Sequence, residues 1–191
     1  MIKKVITAIT IKRKIHKNLK KNGFSRKKLK KNLEKHMNRK LDIREILSRD
    51  YSVFVIVDAY EYCMRKCNWE PSALKPGAMK DFLLCMDFSG WVGNGGISLF
   101  IENTSDDMIM ETIEALKTID DVFADLLTSA VQLFPNGVIP ENQDVKIQIL
   151  NDLREDTDKR MLDIDTAAYM HDDTRNFYHY LQLHKSDFLD F

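Results

Sequence analysis
The chain has 191 residues, 44% of them apolar, which is enough to bury the core of one domain with an appendage. No apolar run approaches the roughly 18 residues of a membrane span, and "VITAITI" (5–11) runs into "KRK" with no small-residue cleavage site, so neither a transmembrane segment nor a signal peptide is expected and the reading is cytoplasmic. The formal charge is zero, yet residues 1–50 hold 18 Lys+Arg against 4 Asp+Glu (+14) and residues 51–191 hold 11 against 25 (−14), an asymmetry that bears on partners rather than on fold.

The basic part centres on "KRKIHKNLKKNGFSRKKLKKNLEKHMNRK" (12–40), where Gly23 separates two lysine-rich stretches. In the second, Leu29, Leu33, Met37 and Leu41 recur every four residues and predict a cationic helix with a narrow apolar stripe, with Ser25 placed to cap it. Lys12, Arg13, Lys14, Arg26, Lys27, Lys28, Lys30 and Lys31 are the candidates for contact with nucleic acid or an anionic membrane surface. A solvated helix that complements the chain's own acidic part is an equal reading, since only Phe24 is available to stack on bases. Residues 1–40 are therefore read as a basic helical arm and 41–191 as an acidic, all-helical domain.

From Leu41 to Cys67 the apolar pattern thickens through Ile43, Ile46, Leu47, Val53, Phe54, Ile56 and Val57, and predicts one long core helix capped by Asp42. "YSVFVIV" (51–57) alone would suit a strand, but length favours helix. Cys63, Cys67 and Cys85 lack the paired spacing of a zinc site and read as buried thiols. His179 and His184 are five apart, about 140° around a helix, and do not share a face. "NWEPSALKPG" (68–77) is a loop by its prolines and glycine.

"GWVGNGGISLF" (90–100) then holds four of the seven glycines. It lacks the lysine and order of a phosphate loop and the G-x-G-x-x-G spacing of a dinucleotide fingerprint. The expectation is a corner: a helix ends near Phe88, leaves through Gly90, and Gly93 to Gly96 allow left-handed angles before a second helix, with Asn94 tolerating the same angles. Trp91, Ile97, Phe100 and Ile101 would pin that corner into the core.

Residues 103–135 give the strongest helical pattern, with Thr104 or Ser105 as cap and Pro135 as terminator, and Asp120 with Asp121 suggests two helices joined by a tight turn. "PNGVIP" (135–140) is a turn, and further helices are expected around 142–156, 160–170 and 173–185. "VKIQIL" (145–150) also alternates, as a short strand would.

"WVGNGGISLFIENTSDD", followed by "METIEALKTID" (110–120) and "LTSAVQLFPNGVIP" (127–140), resembles the bacterial domain family typified by the neisserial DNA-mimic protein, over about residues 45–185. The recurring residues are Trp91, Asn94, Gly95, Gly96 and Phe100; position 97 is Ile where the family often has an aromatic, and the +14 arm lies outside the similarity. The resemblance implies an all-helical domain, usually without catalytic activity or cofactor, whose best-described member is a homodimer that displays acidic side chains in a DNA-like arrangement and occupies the DNA-binding surface of a transcription factor.

This chain's own acidic residues permit such a reading. On one continuous helix Asp107, Glu111, Glu114, Asp121 and Asp125, with Asp106 beside them, would share a face about 27 Å long, and carboxylates one turn apart lie roughly 5–6 Å from each other. A plain solvated acidic face is the simpler account, and a break at Asp120 would divide the stripe. The leading expectation is a non-enzymatic protein binding a basic partner, such as a DNA-binding regulator, through residues 106–125. The alternatives are a nucleic-acid binder using the lysine-rich arm, or an immunity or antitoxin protein blocking a toxin with the same acidic surface.

Overall fold
The computed structural model describes residues 39–190. The cationic candidates from Lys12 to Lys31 lie outside them. The described residues form nine α-helices and no strand: α1 Ile43–Ile46, α2 Val53–Lys66, α3 Ala78–Asn103, α4 Asp106–Ile119, α5 Asp121–Gln132, α6 Gln143–Glu155, α7 Arg160–Met170, α8 Thr174–Leu183 and α9 Lys185–Leu189. All belong to the unit that begins at Leu41. The all-α expectation is met, and both ambiguous segments are helical, "YSVFVIV" entering α2 at Val53 and "VKIQIL" lying within α6.

Local chemistry sets the helix ends. Asp42 caps α1 by accepting from the Arg44 amide at 2.9 Å. The single helix expected over 41–67 is instead two, because Leu47 to Ser52 break the ladder with Ser48, Asp50 and an extended Ser52. Arg49 spans the break, its guanidinium 2.7 Å from both Glu45 and the buried Asp58. The break also rotates α2, so that Val53, Phe54 and Val57, expected inside, face out.

The core is organised around α3, which packs against α2, α4, α6, α7 and α9. Its apolar positions Phe82, Leu83, Cys85, Phe88, Ile97 and Ile101 are fully buried. Phe88 meets Phe100 and Phe123 edge-on at 5.0 and 5.1 Å, and Phe82 meets Phe177 and Phe188 at 6.0 and 5.8 Å. These contacts tie both ends of α3 to the helices that follow it. Cys63, Cys67 and Cys85 are free thiols buried in the same core, and burial pushes the Cys63 thiol up to about 12.

Candidate functional site
The glycine-rich stretch does not end a helix at Phe88. Gly90 and Gly93 sit within the α3 ladder, with open space where a Cβ would stand, and the helix breaks only at Gly95–Gly96. Asn94 stays in the helix and donates its amide to the Gly90 carbonyl at 2.6 Å, rather than adopting left-handed angles. Gly96 carries the unusual backbone, φ 86° and ψ 177°, a region open essentially to glycine alone.

The reason lies on α7. The Asp165 carboxylate approaches the break so closely that a Cβ on Gly96 would fall 2.5 Å from its Cγ and Oδ1. That carboxylate accepts from the Ser98 amide at 2.9 Å and the Ser98 hydroxyl at 2.6 Å, supplying from a distant helix the cap that the resumed α3 segment needs. Arg154 of α6 extends the network, its Nε reaching Ser98 Oγ at 3.4 Å and its Nη2 pairing with Glu102 at 2.8 Å. Trp91 is partly buried against the core, while Ile97, Phe100 and Ile101 are buried as expected. The motif is thus a junction joining α3, α6 and α7.

A second polar junction lies where α4 gives way to α5. Asp120, 2% exposed, ends one helix and caps the next by accepting from the Phe123 amide at 3.0 Å. Its other oxygen accepts from Asn176 at 2.8 Å and lies 2.8 Å from His171 Nε2. The His171 ring stands edge-on to Phe123 at 4.7 Å, which holds the end of α7 against the start of α5. Nearby Asp173 is buried, with one carboxylate oxygen lacking a hydrogen-bond partner, and burial raises its affinity for a proton.

The break at Asp120 divides the acidic stripe. Asp106, Asp107, Glu111 and Glu114 lie on α4, and Asp121 and Asp125 on α5, so the continuous 106–125 face does not form. Glu111 is half-buried and paired with Lys80, and Glu114 pairs with Lys117 at 2.7 Å. Asp107, Asp121 and Asp125 are exposed, Asp106 is partly exposed, and none of the four joins an ion pair among the described residues. The domain that displays them, Leu41–Phe191, holds 13 Lys+Arg against 28 Asp+Glu, a net of −15.

Sequence reasoning missed Asp165, which sits 67 residues from the amide it caps. It also missed the outer side of α7, where Leu162, Tyr169 and Met170 are exposed. Among the described residues no cluster of His, Cys, Asp and Glu is arranged to hold a metal ion, and no helix is long and apolar enough to cross a membrane.

Fold and surface together define an all-helical domain with a negative exterior and a glycine junction at its centre. Residues 73–184, more than half of the chain, match the family model described as DMP19-like protein. The chain belongs to that family. The match runs from the turn before α3 to the end of α8 and leaves α1 and α2 outside. Comparison with curated proteins and with solved structures returns no match.

Proposed function
We propose that the chain is a non-enzymatic binding protein whose acidic domain engages a basic protein partner, a DNA-binding regulator being the partner that its charge and family favour. The observation that carries this reading is the set of exposed carboxylates at Asp107, Asp121 and Asp125, which have no cationic partner among the described residues, on a domain of net charge −15. Unneutralised surface carboxylates raise the local negative potential and steer a cationic surface toward them. Pairing of Glu111 with Lys80 and of Glu114 with Lys117 moves the weight from the middle of α4 toward Asp107 in its first turn and toward the start of α5.

The test compares capture of DNA-binding proteins from host lysate by the full chain and by the variant Asp107→Asn/Asp121→Asn/Asp125→Asn, with captured proteins identified by mass spectrometry. A DNA-binding protein held by the wild type and lost by the variant supports the reading; equal capture removes the acidic face from it. A second reading has its own observation, the excess of 18 basic over 4 acidic residues in 1–50. It predicts that the full chain shifts duplex DNA at low salt and releases it steeply as salt rises.

A further inference from the structure
The outer side of α7 is apolar where a surface helix is ordinarily polar. Met161 and Ala168 face the core and are buried. On the opposite side Leu162, Thr166, Tyr169 and Met170 follow the i, i+4, i+7, i+8 spacing of a single stripe, and Leu162, Tyr169 and Met170 are 52%, 68% and 76% exposed. A helix apolar on both sides is normally covered on both. The contacts of His171 with Asp120 and Phe123 bring the C-terminal end of α7 against the start of α5, where Val122 is 45% exposed.

Carboxylates flank the C-terminal part of this apolar surface, while Lys159 and Arg160, the latter paired with Asp156, stand at its N-terminal end. Asp121 and Asp125 lie on the exposed side of α5 together with Val122, and Asp163 is exposed on α7. Asp172 lies just past the His171 cap of α7, and the Thr174 hydroxyl and amide that bond to its carboxylate hold it below the usual carboxyl range, which keeps it charged. An apolar stripe bordered by carboxylates complements a helix whose apolar side is bordered by Lys and Arg.

We infer that the outer side of α7 and the start of α5 dock a cationic amphipathic helix of a protein partner, with Tyr169 and Met170 as the anchors and Asp121, Asp125 and Asp163 setting the charge of what is accepted. This deepens the proposed function and rests on it, since it names the secondary structure and the apolar content of the basic partner. It also moves the anchoring residues away from α4.

The test uses the full chain and three labelled synthetic peptides of equal length and charge: an amphipathic Lys/Leu helix, the same residues scrambled, and a Lys/Gln peptide. Binding is read by fluorescence anisotropy. The wild type should hold the amphipathic helix most tightly, and Tyr169→Ser/Met170→Gln should weaken that binding by about tenfold or more, as loss of an interface anchor does. The melting temperature should not change, because both side chains are exposed. Asp121→Asn/Asp125→Asn should weaken binding and flatten its salt dependence.

Equal binding of the amphipathic and scrambled peptides, or full binding by Tyr169→Ser/Met170→Gln, overturns the stripe. Loss in the Asp variant alone does the same while leaving the acidic reading standing. Loss in the Tyr169/Met170 variant alone keeps the stripe and removes the acidic reading. A wild type that sediments as a dimer, with a monomeric Tyr169→Ser/Met170→Gln variant, assigns the surface to a second copy and overturns the inference.

Discussion

Replacing Gly96 and Gly90 by alanine should move stability in opposite directions, although both glycines belong to one motif. At Gly96 an added Cβ meets Asp165 at 2.5 Å, and the backbone, at φ 86° and ψ 177°, disfavours any side chain. Holding a non-glycine residue in that region costs on the order of 1–3 kcal/mol. Displacing Asp165 removes its bonds to the Ser98 amide and hydroxyl, a capping loss of about 1 kcal/mol. The expected total for Gly96→Ala is about 3 kcal/mol, or a fall in melting temperature of roughly 6–12 °C for a chain of this size. Gly90 has open space at its Cβ position and sits in the α3 ladder, so Gly90→Ala should gain about 0.5–1 kcal/mol. Urea unfolding followed by circular dichroism at the helical band reads both. Asp165→Ala completes a double-mutant cycle: because Gly96→Ala already displaces that carboxylate, the double variant should cost less than the sum of the singles. A Gly96→Ala protein as stable as wild type, or strictly additive costs, would refute the role given to Asp165.

Three further outcomes follow from the same geometry. Asp120→Ala removes the acceptor used by the Phe123 amide and Asn176 and separates His171 from its partner, so it should cost about 3 kcal/mol and speed hydrogen exchange at the start of α5. Burial raises the proton affinity of Asp81, Asp87 and Asp173, so between about pH 4 and their raised values the folded chain binds more protons than the unfolded one, and stability falls as pH rises through that window. Asp173→Asn should flatten that fall in a series of urea titrations across pH; an unchanged slope would contradict the assignment. Phe54→Ser should leave the melting temperature within about 1–2 °C of wild type, because Phe54 is 77% exposed, whereas a core position at the start of α2 would lose far more.

Helix content was legible, and a break at Asp120 was suggested beside one continuous helix, because each rests on short-range chemistry: a 3.6-residue apolar period, an aspartate able to cap, and a proline after the last turn. The core was legible for the same reason, Phe123, Leu127, Ala130 and Val131 facing inward as their spacing predicts. The glycine junction was legible only in part. Glycine density marks a place where backbone freedom is needed, yet it does not separate Gly90 and Gly93, which stay helical, from Gly96, which must make room for Asp165. That distinction depends on a carboxylate far along the chain and has no local signal. The helix expected over 41–67 failed because Leu47 at 1% exposure and Val53 at 50% are equally apolar in sequence, and only the intervening break decides which turns inward. The exposed side of α7 was hidden by the same ambiguity: a helix apolar on two sides shows no contrast from which to predict its outward side.

The proposed function implies that exposed carboxylates of this domain would cover the surface by which a basic partner holds DNA. Competition tests it most directly. A regulator captured by the full chain is bound to a labelled duplex carrying its site, and the chain is titrated in while anisotropy reports the DNA. The wild type should release the duplex, and Asp107→Asn/Asp121→Asn/Asp125→Asn should release it more weakly. A ternary complex, with DNA and chain held together at saturation, would contradict it.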